Sequence, residues 1–483
     1  MALETGWILL LTIALFAAVV RRSSWYRKTS YPPGPKPRFF LGNTFDIPTD
    51  KSWETYGRWS KECNSTIIHA TALDKHLVIL NSPEDAVELL EKRAQIYSSR
   101  PRVPMLEVLD WAEFNSVGLP YGPLWRAHRR LFQQLFRLGT VAQYRPIQTN
   151  KTRDALRNLL STPTEFAAHL KTLSSAVIMS IMYDYDVSLS GDHFVDLVEK
   201  AVYESSQAAL PGSHAINSFP FLRYVPRWLP GGGFHKVADR CRKLTHEMRT
   251  APYEMVRRDM EKGNYSSVLG RLLAENDAQG GSKERERVIS DVTVMTYAAG
   301  SDTTAAAFLS FVLAMAIYPD VQRKAREEIL ALTGGERLPV HEDRDSLPYL
   351  EAVYRELLRW RPVVPLGVPH SSTEDDYYKG YFIPKGSIVM ANVWTMTRDE
   401  SVYPDPENFL PERFLDEHGN LTENDRILVY GFGRSTTKAK DEAGNEIPIQ
   451  RDYTSGIVSH PPPFECSITP LSEGARQLVE QTA

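Results

Sequence analysis

The sequence is poor in cysteine and carries almost no net charge. Its 483 residues include three cysteines, Cys63, Cys241 and Cys466. So few cysteines exclude a disulfide-built scaffold, and no two of them stand at a short metal-ligand spacing. The 56 lysines and arginines nearly balance the 60 aspartates and glutamates, for a formal net charge of −4. Because nucleic-acid binding depends on a strong basic field, we expect no nucleic-acid partner.

Long apolar runs are also scarce, and the composition of 42% hydrophobic and 24% charged residues excludes both a disordered chain and a multi-span membrane protein. The uncharged run Gly6 to Val20 is followed directly by Arg21 and Arg22. It is shorter than the roughly 20 residues that span a bilayer, so a cleaved signal peptide is an alternative. Because Glu4 replaces a basic start and no small-x-small cleavage site precedes Arg21, we favour a single membrane anchor over residues 1–22.

A proline-rich segment follows the anchor. Residues 23–39 contain Tyr31 to Pro37 (YPPGPKP), and proline fixes φ and disfavours helix in the residue before it. The segment is predicted to be a stiff extended hinge, and a plain spacer is the simpler interpretation.

From residue 40 to residue 483 the sequence has no repeat, no low-complexity tract and no second linker, which predicts one large domain. Its hydrophobic periodicity is mostly that of helices, with a few short β-branched or alternating stretches. We therefore predict a mainly α fold with small β-sheets. The predicted helices are Pro83 to Lys92, Leu124 to Phe136, Asn150 to Leu160, Phe166 to Met182, Gly191 to Ala209, Phe234 to Gly263, Arg285 to Ile317, Pro319 to Leu332 and Leu347 to Arg359. The predicted strands are Ile67 to Ala70, His76 to Ile79 and Ile388 to Ala391.

Proline and glycine interrupt the helical pattern between Leu210 and Gly233, which predicts a loop or a broken helix. Within it, Tyr224 to Pro230 is apolar and aromatic. This stretch would either dip into the bilayer near the anchor or pack as an ordinary loop.

The longest helical pattern contains Ala298 to Thr304 (AAGSDTT) in an otherwise apolar setting. Glycine weakens a helix, and threonine can bond back to a carbonyl one turn earlier. A locally opened helix with Asp302 and Thr303 on one side would suit proton delivery. The alternative is a helix–helix contact that uses small residues.

Two further groups of charged residues stand out. Glu356 and Arg359 share one helix face, and Arg413 in a proline-bounded loop is a candidate third member of a buried structural network. Trp125 and Arg129 lie one helical turn apart with His128 alongside, which suits a buried anion. The plain interpretation of that helix is a basic face with a half-buried tryptophan, and His370 is either another donor to the anion or a simple loop histidine.

In this order, these motifs resemble the cytochrome P-450 monooxygenases of the membrane-anchored fungal kind. The resemblance runs from the anchor to about Ile468 and includes the hinge, the Trp125 and Asp302 helices, the Glu356 network and a glycine-punctuated loop from Tyr430 to Arg434 (YGFGR). It implies one mainly α domain that holds haem b between the Gly300 helix and the Tyr430 loop, with Asp302 and Thr303 delivering protons during dioxygen activation. The cofactor-binding residues that it implies are Trp125, His128, Arg129, Ala299, Gly300, His370, Phe432 and Arg434.

The resemblance also implies the cellular setting. Electrons would come from an NADPH-cytochrome P-450 reductase, and the substrate would be a lipophilic small molecule of fungal secondary metabolism. The protein would sit in the endoplasmic reticulum membrane by a single span, with its catalytic domain in the cytosol.

The chain departs from the family at the haem loop, which should read Phe-Gly-x-Gly-x-Arg-x-Cys-x-Gly. Ser435 stands at the arginine and Thr437 at the cysteine whose thiolate would bind the iron. The helix that should follow is missing, so a whole segment is lost between about residues 434 and 438. Either a gene model or splicing removed part of a working enzyme, or the chain is a haem-less, inactive pseudoenzyme.

Overall fold

Amphipathic and apolar helices account for most of the structure. The computed structural model describes residues 30–188, 191–210, 212–422, 428, 457–470 and 472–482. The proposed anchor (Gly6 to Val20) and the haem-loop residues Phe432, Arg434 and Thr437 lie outside these ranges. The predicted single-domain fold, mainly helical with small sheets, is confirmed, with 58% helix.

The nine predicted helices are present, eight of them within two residues of the predicted bounds at both ends, and the described residues contain further helices that were not predicted. In chain order the helices are α1 (Ser52–Glu62), α2 (Pro83–Ala86, continued by a π-helical stretch Val87–Lys92), α3 (Ala94–Tyr97), α4 (Pro104–Val108), α5 (Pro123–Phe136), α6 (Leu138–Val141), α7 (Arg145–Ser161), α8 (Phe166–Tyr183), α9 (His193–Ala209), α10 (Ala215–Ser218), α11 (Phe234–Glu261), α12 (Val268–Ala278), α13 (Lys283–Ile317), α14 (Pro319–Thr333), α15 (Pro348–Trp360), α16 (Val393–Met396) and α17 (Glu473–Glu480). Short 3₁₀ turns include Pro220–Tyr224 in the predicted loop and Pro411–Phe414.

The described strands form two small sheets. They are β1 (Ile67–Ala72), β2 (Lys75–Leu80), β3 (His370–Ser371), β4 (Asp376–Tyr378), β5 (Tyr381–Ile383) and β6 (Ile388–Ala391). The larger sheet has the order β1-β2-β6-β3, in which β2 and β6 are parallel and the other neighbours antiparallel. The strands β4 and β5 form a separate antiparallel hairpin. The parallel pairing joins two stretches about 300 residues apart, Leu77 opposite Ile388, and so fixes the sheet across the chain.

Helix α13 is the centre of the helical part. Ser282 caps its first turn by accepting a hydrogen bond from the Arg285 N–H. Among the described residues it is the one helix long and apolar enough to cross a membrane, and 61% of its most apolar window is buried inside the fold. It packs most extensively against α8 and also against α5, so α13 is a core helix that positions both neighbours.

The proline-rich hinge is part of the folded domain where the structure describes it. The His69 N–H of β1 donates to the Pro33 carbonyl over 2.9 Å, and the Tyr31 ring stacks on the His69 ring with centroids 4.7 Å apart. A Cβ added at Gly34 would lie 1.9 Å from the His69 carbonyl oxygen. Glycine is therefore required for this close approach, and the simpler interpretation of the hinge as a free spacer is wrong for its second half.

Candidate functional site

Helix α13 is buried along most of its length, but residues 299–304 in its middle, called the open stretch, include side chains that are exposed to solvent. Residues 288–298 and 305–316 are mostly buried, whereas Asp302 and Thr303 are half-buried and Thr304 is exposed. The Thr303 hydroxyl donates to the Ala299 carbonyl over 2.8 Å. The backbone is helical without a break from Lys283 to Ile317, so the locally opened backbone that the sequence predicts is wrong. The hydroxyl bonds back along an intact helix instead.

Gly300 faces another helix. A Cβ at this position would lie 3.0 Å from the Ile178 Cγ1 atom and 3.1 Å from its Cδ1 atom. Ile178 belongs to α8, the most extensive packing partner of α13. At Gly300 the small residue therefore allows a close helix–helix contact, whereas Ala299 lies in the partly exposed stretch of residues 299–304.

Asp302 has a partner that the sequence did not suggest. The His460 Nε2 atom lies 3.1 Å from its Oδ1 atom, and the two side chains are 25% and 28% exposed. His460 lies in the extended segment before α17, 158 positions after Asp302 in the sequence. The C-terminal segment therefore reaches back to the open stretch of α13 and covers its carboxylate.

A cluster of basic side chains comes from α5, from β3 and from the irregular segment that contains Arg100. On α5 the Arg129 guanidinium lies over the Trp125 ring, 5.8 Å from its centroid. Arg100 donates from Nη1 to the Val368 and Pro369 carbonyls over 2.6 and 2.9 Å, and its Nε atom is buried without a hydrogen-bond partner. His370 follows directly, and its Nδ1 atom lies 2.7 Å from the Tyr97 carbonyl oxygen.

These groups repel one another. Burial, and then the charge of Arg129, lowers the pKa of Arg100 to about 10. Burial, and then the charge of Arg100, lowers the pKa of His370 to about 4, although the Tyr97 carbonyl opposes the shift. Burial also lowers the pKa of Arg129. Burial of the two guanidinium charges of Arg100 and Arg129 is costly unless an opposite charge is near, so these groups, with the neutral His370 ring alongside, suit a bound anion. We call these three residues the cationic cluster.

His128 does not belong to this cluster. Its Nδ1 atom lies 2.8 Å from the Ser116 hydroxyl, and its Nε2 atom lies 3.9 Å from the Asp291 Oδ2 atom of α13. Its side chain is 1% exposed. Consecutive helix residues point about 100° apart, so His128 faces α13 while Arg129 faces the cluster. The structure places His128 against Ser116 and Asp291, apart from the cluster, and its role in cofactor binding stays a prediction.

Glu356, Arg359 and Arg413 lie together in the interior. Arg359 donates from Nε and Nη2 to the two Glu356 carboxylate oxygens over 2.6 and 2.7 Å. The Arg413 Nε atom donates to Glu356 over 3.2 Å. The Leu410 N–H donates to the same carboxylate over 2.8 Å. Glu356 is 0% and Arg359 3% exposed, and their remaining bonds fix the loop that leads into Pro411–Phe414.

The chain is similar to known proteins over nearly its whole length. A model of the cytochrome P-450 family matches residues 32–435. The chain belongs to the cytochrome P-450 family. It is 35% identical to a cytochrome P-450 monooxygenase of Armillaria gallica, over 98% of each chain. It is 37% identical to the cytochrome P-450 monooxygenase ple1 of Rhodocybe pseudopiperita, over 94% of this chain and 92% of that one. It is also 37% identical to cytochrome P-450 monooxygenase 208 of Postia placenta, over 99% and 97%.

As a cytochrome P-450, the chain belongs to a family of haem monooxygenases, and its described residues fit one end of that cofactor. The cationic cluster, with a buried unpartnered Nε atom on Arg100, suits the two carboxylates of a haem. Trp125 lies beside it on α5. Among the residues predicted for this role, Phe432 and Arg434 lie outside the described ranges. Arg100 was missed by the sequence reasoning, because it lies in an irregular segment with no motif of its own.

The other end of the cofactor is not matched. The family binds iron through a cysteine thiolate, and all three cysteines of this chain lie elsewhere. Cys63 caps α1, Cys241 is buried on α11 beside Thr245, and Cys466 is buried in an apolar cluster with Phe166 and Trp360. Burial raises the pKa of each thiol, which disfavours the thiolate. The residues present therefore do not supply the iron ligand that the family uses.

Proposed function

We propose that the locus encodes a fungal haem monooxygenase that oxidises a lipophilic small molecule in secondary metabolism. The observation that carries this proposal is the cationic cluster, whose Arg129 lies on α5, a helix that packs against the Asp302-bearing helix α13 in a chain of this family. Leu124 and Ala127 of α5 pack in one core cluster with Ala298 of α13. The neighbouring residues Trp125 and Ala299 therefore lie on two helices that are in contact.

Side chains on and around these two helices would have separate roles. The cationic cluster would hold and orient carboxylates, and Asp302 would hold a proton at its carboxylate. The Thr303 hydroxyl, bonded to the Ala299 carbonyl, offers a second polar group on the same open stretch.

Two exposed aromatic patches support a membrane-facing domain and a lipophilic substrate. One patch comprises Phe39, Phe40 and Phe45, which are 78%, 64% and 69% exposed. The other patch follows α10 and includes Phe221, Tyr224 and Trp228, which are 66%, 75% and 81% exposed. Exposed apolar patches of this kind mark interaction surfaces. With the anchor of residues 1–22, they favour single-pass attachment to the endoplasmic reticulum membrane and a cytosolic catalytic domain.

Electrons would come from an NADPH-cytochrome P-450 reductase. Arg126, Arg130 and Arg137, which lie on α5 and at its end, are exposed on the helix that carries the cationic cluster's Arg129. An exposed row of arginines favours docking of an acidic partner surface. Charge-reversed variants of Arg126 and Arg130 should weaken reductase binding more at low than at high ionic strength.

A second candidate function is that of a haem-less, inactive product, and it rests on the missing segment. Thr437 stands at the ligand position, and an alcohol is not deprotonated near neutral pH as a bound thiol is. The family match ends at residue 435. The alignments with the Armillaria and Postia proteins run over 503 and 507 positions, whereas this chain has 483 residues. This chain therefore lacks at least 503 − 483 = 20 positions of the first alignment and at least 507 − 483 = 24 positions of the second.

One experiment separates the two functions. The transcript is sequenced across residues 434–438, and the printed chain and any longer product are expressed side by side. The reduced, carbon-monoxide difference spectrum of each is then recorded. We expect the thiolate-diagnostic band from the longer product and none from the printed chain. A transcript without a longer form, and no band from either protein, would favour the inactive product.

A further inference from the structure

We propose that a cavity between the C-terminal helix α17 and the core helices is a second ligand site, which takes the alkyl chain of an uncharged small molecule. The cavity has a volume of about 310 Å³. The described residues that line it do not include Arg100, Arg129, His370, Asp302 or Thr303. The inference therefore goes beyond the proposed function and does not depend on haem binding.

The wall opposite α17 is made by four helices. Leu159 of α7, Leu170 of α8 and Phe311 of α13 line the cavity, are buried and belong to one apolar core cluster. Helix α14 adds Ile329, which packs on the same cluster. Because core packing holds these side chains in place, local relaxation alone does not close the space between them.

Helix α17 presents an apolar stripe to the cavity. Ala475, Leu478 and Val479 line it, and their spacing of three and four residues places them on one helix face. Glu473 and Gln477 of the same helix are exposed to solvent. The apolar face of this short helix is thus directed at a space that other side chains leave unfilled.

Hydrogen bonds hold the C-terminal segment before and after α17. The Ile468 N–H donates to the Pro163 carbonyl over 3.4 Å. Beyond the helix, Arg157 of α7 donates from Nη1 to the Thr482 carbonyl and hydroxyl over 2.8 and 2.9 Å. The helix between these contacts has eight residues, so a ligand can enter by displacing a short surface helix while the core helices stay in place.

The polar side chains of the described walls are either bonded or exposed. Thr333 is buried, and its hydroxyl donates to the Ile329 carbonyl over 2.9 Å. Arg337 is exposed and donates to both Asp343 carboxylate oxygens over 2.6 and 2.8 Å, and Thr469 is exposed. Among the described lining residues, no buried side-chain nitrogen or oxygen lacks a partner. Since a buried water needs two to four polar partners, an apolar chain is favoured over water.

Volume and polarity together specify the ligand class. The cavity is about twice the size of the ~150 Å³ space that holds one benzene molecule, so it suits a chain of about 8–12 carbon atoms. One hydroxyl at the end of the chain can stay hydrated beside the exposed Arg337 and Thr469. A membrane-lipid acyl chain of about 16 carbon atoms exceeds the volume, and we therefore assign the site to a free small molecule.

The test is photolabelling of the full-length chain in phosphatidylcholine nanodiscs, with an octanol that carries a diazirine as the probe. Light expels dinitrogen from the diazirine, and the resulting carbene inserts into a nearby C–H, N–H or O–H bond. Mass spectrometry then identifies the labelled peptides. We expect saturable labelling in α7, α13 and α17, with half-saturation between about 10 μM and 1 mM.

A series of unlabelled 1-alkanols measures the size of the site on the unaltered protein. From hexanol to decanol, displacement of the probe should improve about fourfold for each added carbon atom, at equal free aqueous concentration. Beyond about 12 carbon atoms it should improve no further, because the cavity is full.

Two matched pairs of variants locate the site. Ala475→Phe fills the cavity from α17 and should lower saturable labelling about tenfold or more, whereas Gln477→Phe on the exposed face should leave it unchanged. Leu330→Trp obstructs the cavity from α14, and Leu332→Trp is its control. Leu330 and Leu332 are 43% and 37% exposed, but of the two only Leu330 lines the cavity. Thermal unfolding of each variant shows whether it is folded.

Three outcomes would overturn the inference. They are labelling of the cavity peptides that does not saturate or does not occur, labelling that neither Ala475→Phe nor Leu330→Trp reduces, and stronger displacement by hexadecanol than by dodecanol. The last would assign the labelled site to membrane-lipid chains. None of these outcomes bears on the proposed function, which is judged on the transcript and the carbon-monoxide difference spectrum.

Discussion

The imidazole of His460 pairs with the carboxylate of Asp302, with 3.1 Å between Nε2 and Oδ1. Asp302 lies in the middle of the longest helix, and His460 lies on an extended segment near the C-terminus. The contact joins these two parts of the chain beside α13, where Asp302 is the only acid among residues 299–304. A substitution at either residue should therefore change both the stability of the C-terminal segment and the charge beside α13.

A double-mutant cycle with Asp302→Asn and His460→Gln should give a measurable coupling free energy. Both side chains are about a quarter exposed, so the coupling should be modest, about 0.5–1 kcal/mol. Urea unfolding of the four proteins measures it. The more exposed pair His193 and Glu247 is the control and should couple more weakly, and equal coupling in both pairs would contradict the prediction.

Loss of the Glu356 charge should destabilise the fold strongly. Glu356→Gln leaves Arg359 and Arg413 buried without their counter-charge, and removal of one partner from a buried ion pair costs about 3–5 kcal/mol. Glu327→Gln is a matched control, because Glu327 pairs with Arg323 at the surface and is 58% exposed. It should change the free energy of unfolding by less than about 0.5 kcal/mol. Denaturant unfolding of the two variants checks both values, and a similar loss in both would show that the network contributes little.

The sequence predicts the long helices well because their signals are local. The periodic run from Phe166 to Met182 predicts α8 (Phe166–Tyr183) to within one residue. Helix α1 was not predicted. Its N-cap residue Lys51 makes no side-chain cap and has φ 40°, and Gly57 interrupts a short, aromatic-rich pattern. Its stability comes from packing, since Trp53, Tyr56 and Trp59 are buried, and packing is not a local signal.

The site was harder to predict than the fold because its contacts are non-local. Arg100 reaches carbonyls 268 and 269 positions away, and His460 is 158 positions from Asp302. No spacing rule connects such pairs. His128 shows the converse: it is next to Arg129 in the sequence, but the helix turns the two side chains to different neighbours.

Acid should weaken the contact between the hinge and the sheet through His69. Burial, and then the charge of His76, lowers the pKa of His69 to about 3, below the ordinary value of about 6.5. The unfolded chain thus binds this proton more readily than the folded one, so stability is full above about pH 6.5 and falls as the pH drops towards 3. Between pH 8 and pH 5 we expect a loss of about 2 kcal/mol from this group.

Unfolding curves of the wild type, His69→Gln and the control His418→Gln test the assignment of this acid sensitivity. His418 is 74% exposed, so its replacement should leave the acid-induced loss unchanged. His69→Gln should remove most of the part that belongs to this histidine. If both variants lose as much stability as the wild type does between pH 8 and pH 5, His69 is not responsible.

Substitution of Gly34 should detach the hinge from the domain. In Gly34→Ala the new Cβ would lie 1.9 Å from the His69 carbonyl oxygen and 3.0 Å from its carbon, and backbone atoms cannot move aside as a flexible side chain can. Relief requires breaking the bond from the His69 N–H to the Pro33 carbonyl, so we expect a loss of about 1–3 kcal/mol and faster proteolysis near residues 30–40. In the control Gly139→Ala the Cβ would meet nothing within 4 Å, and stability should change by less than about 1 kcal/mol. Unchanged proteolysis of the hinge in Gly34→Ala would show that the segment does not need this close approach.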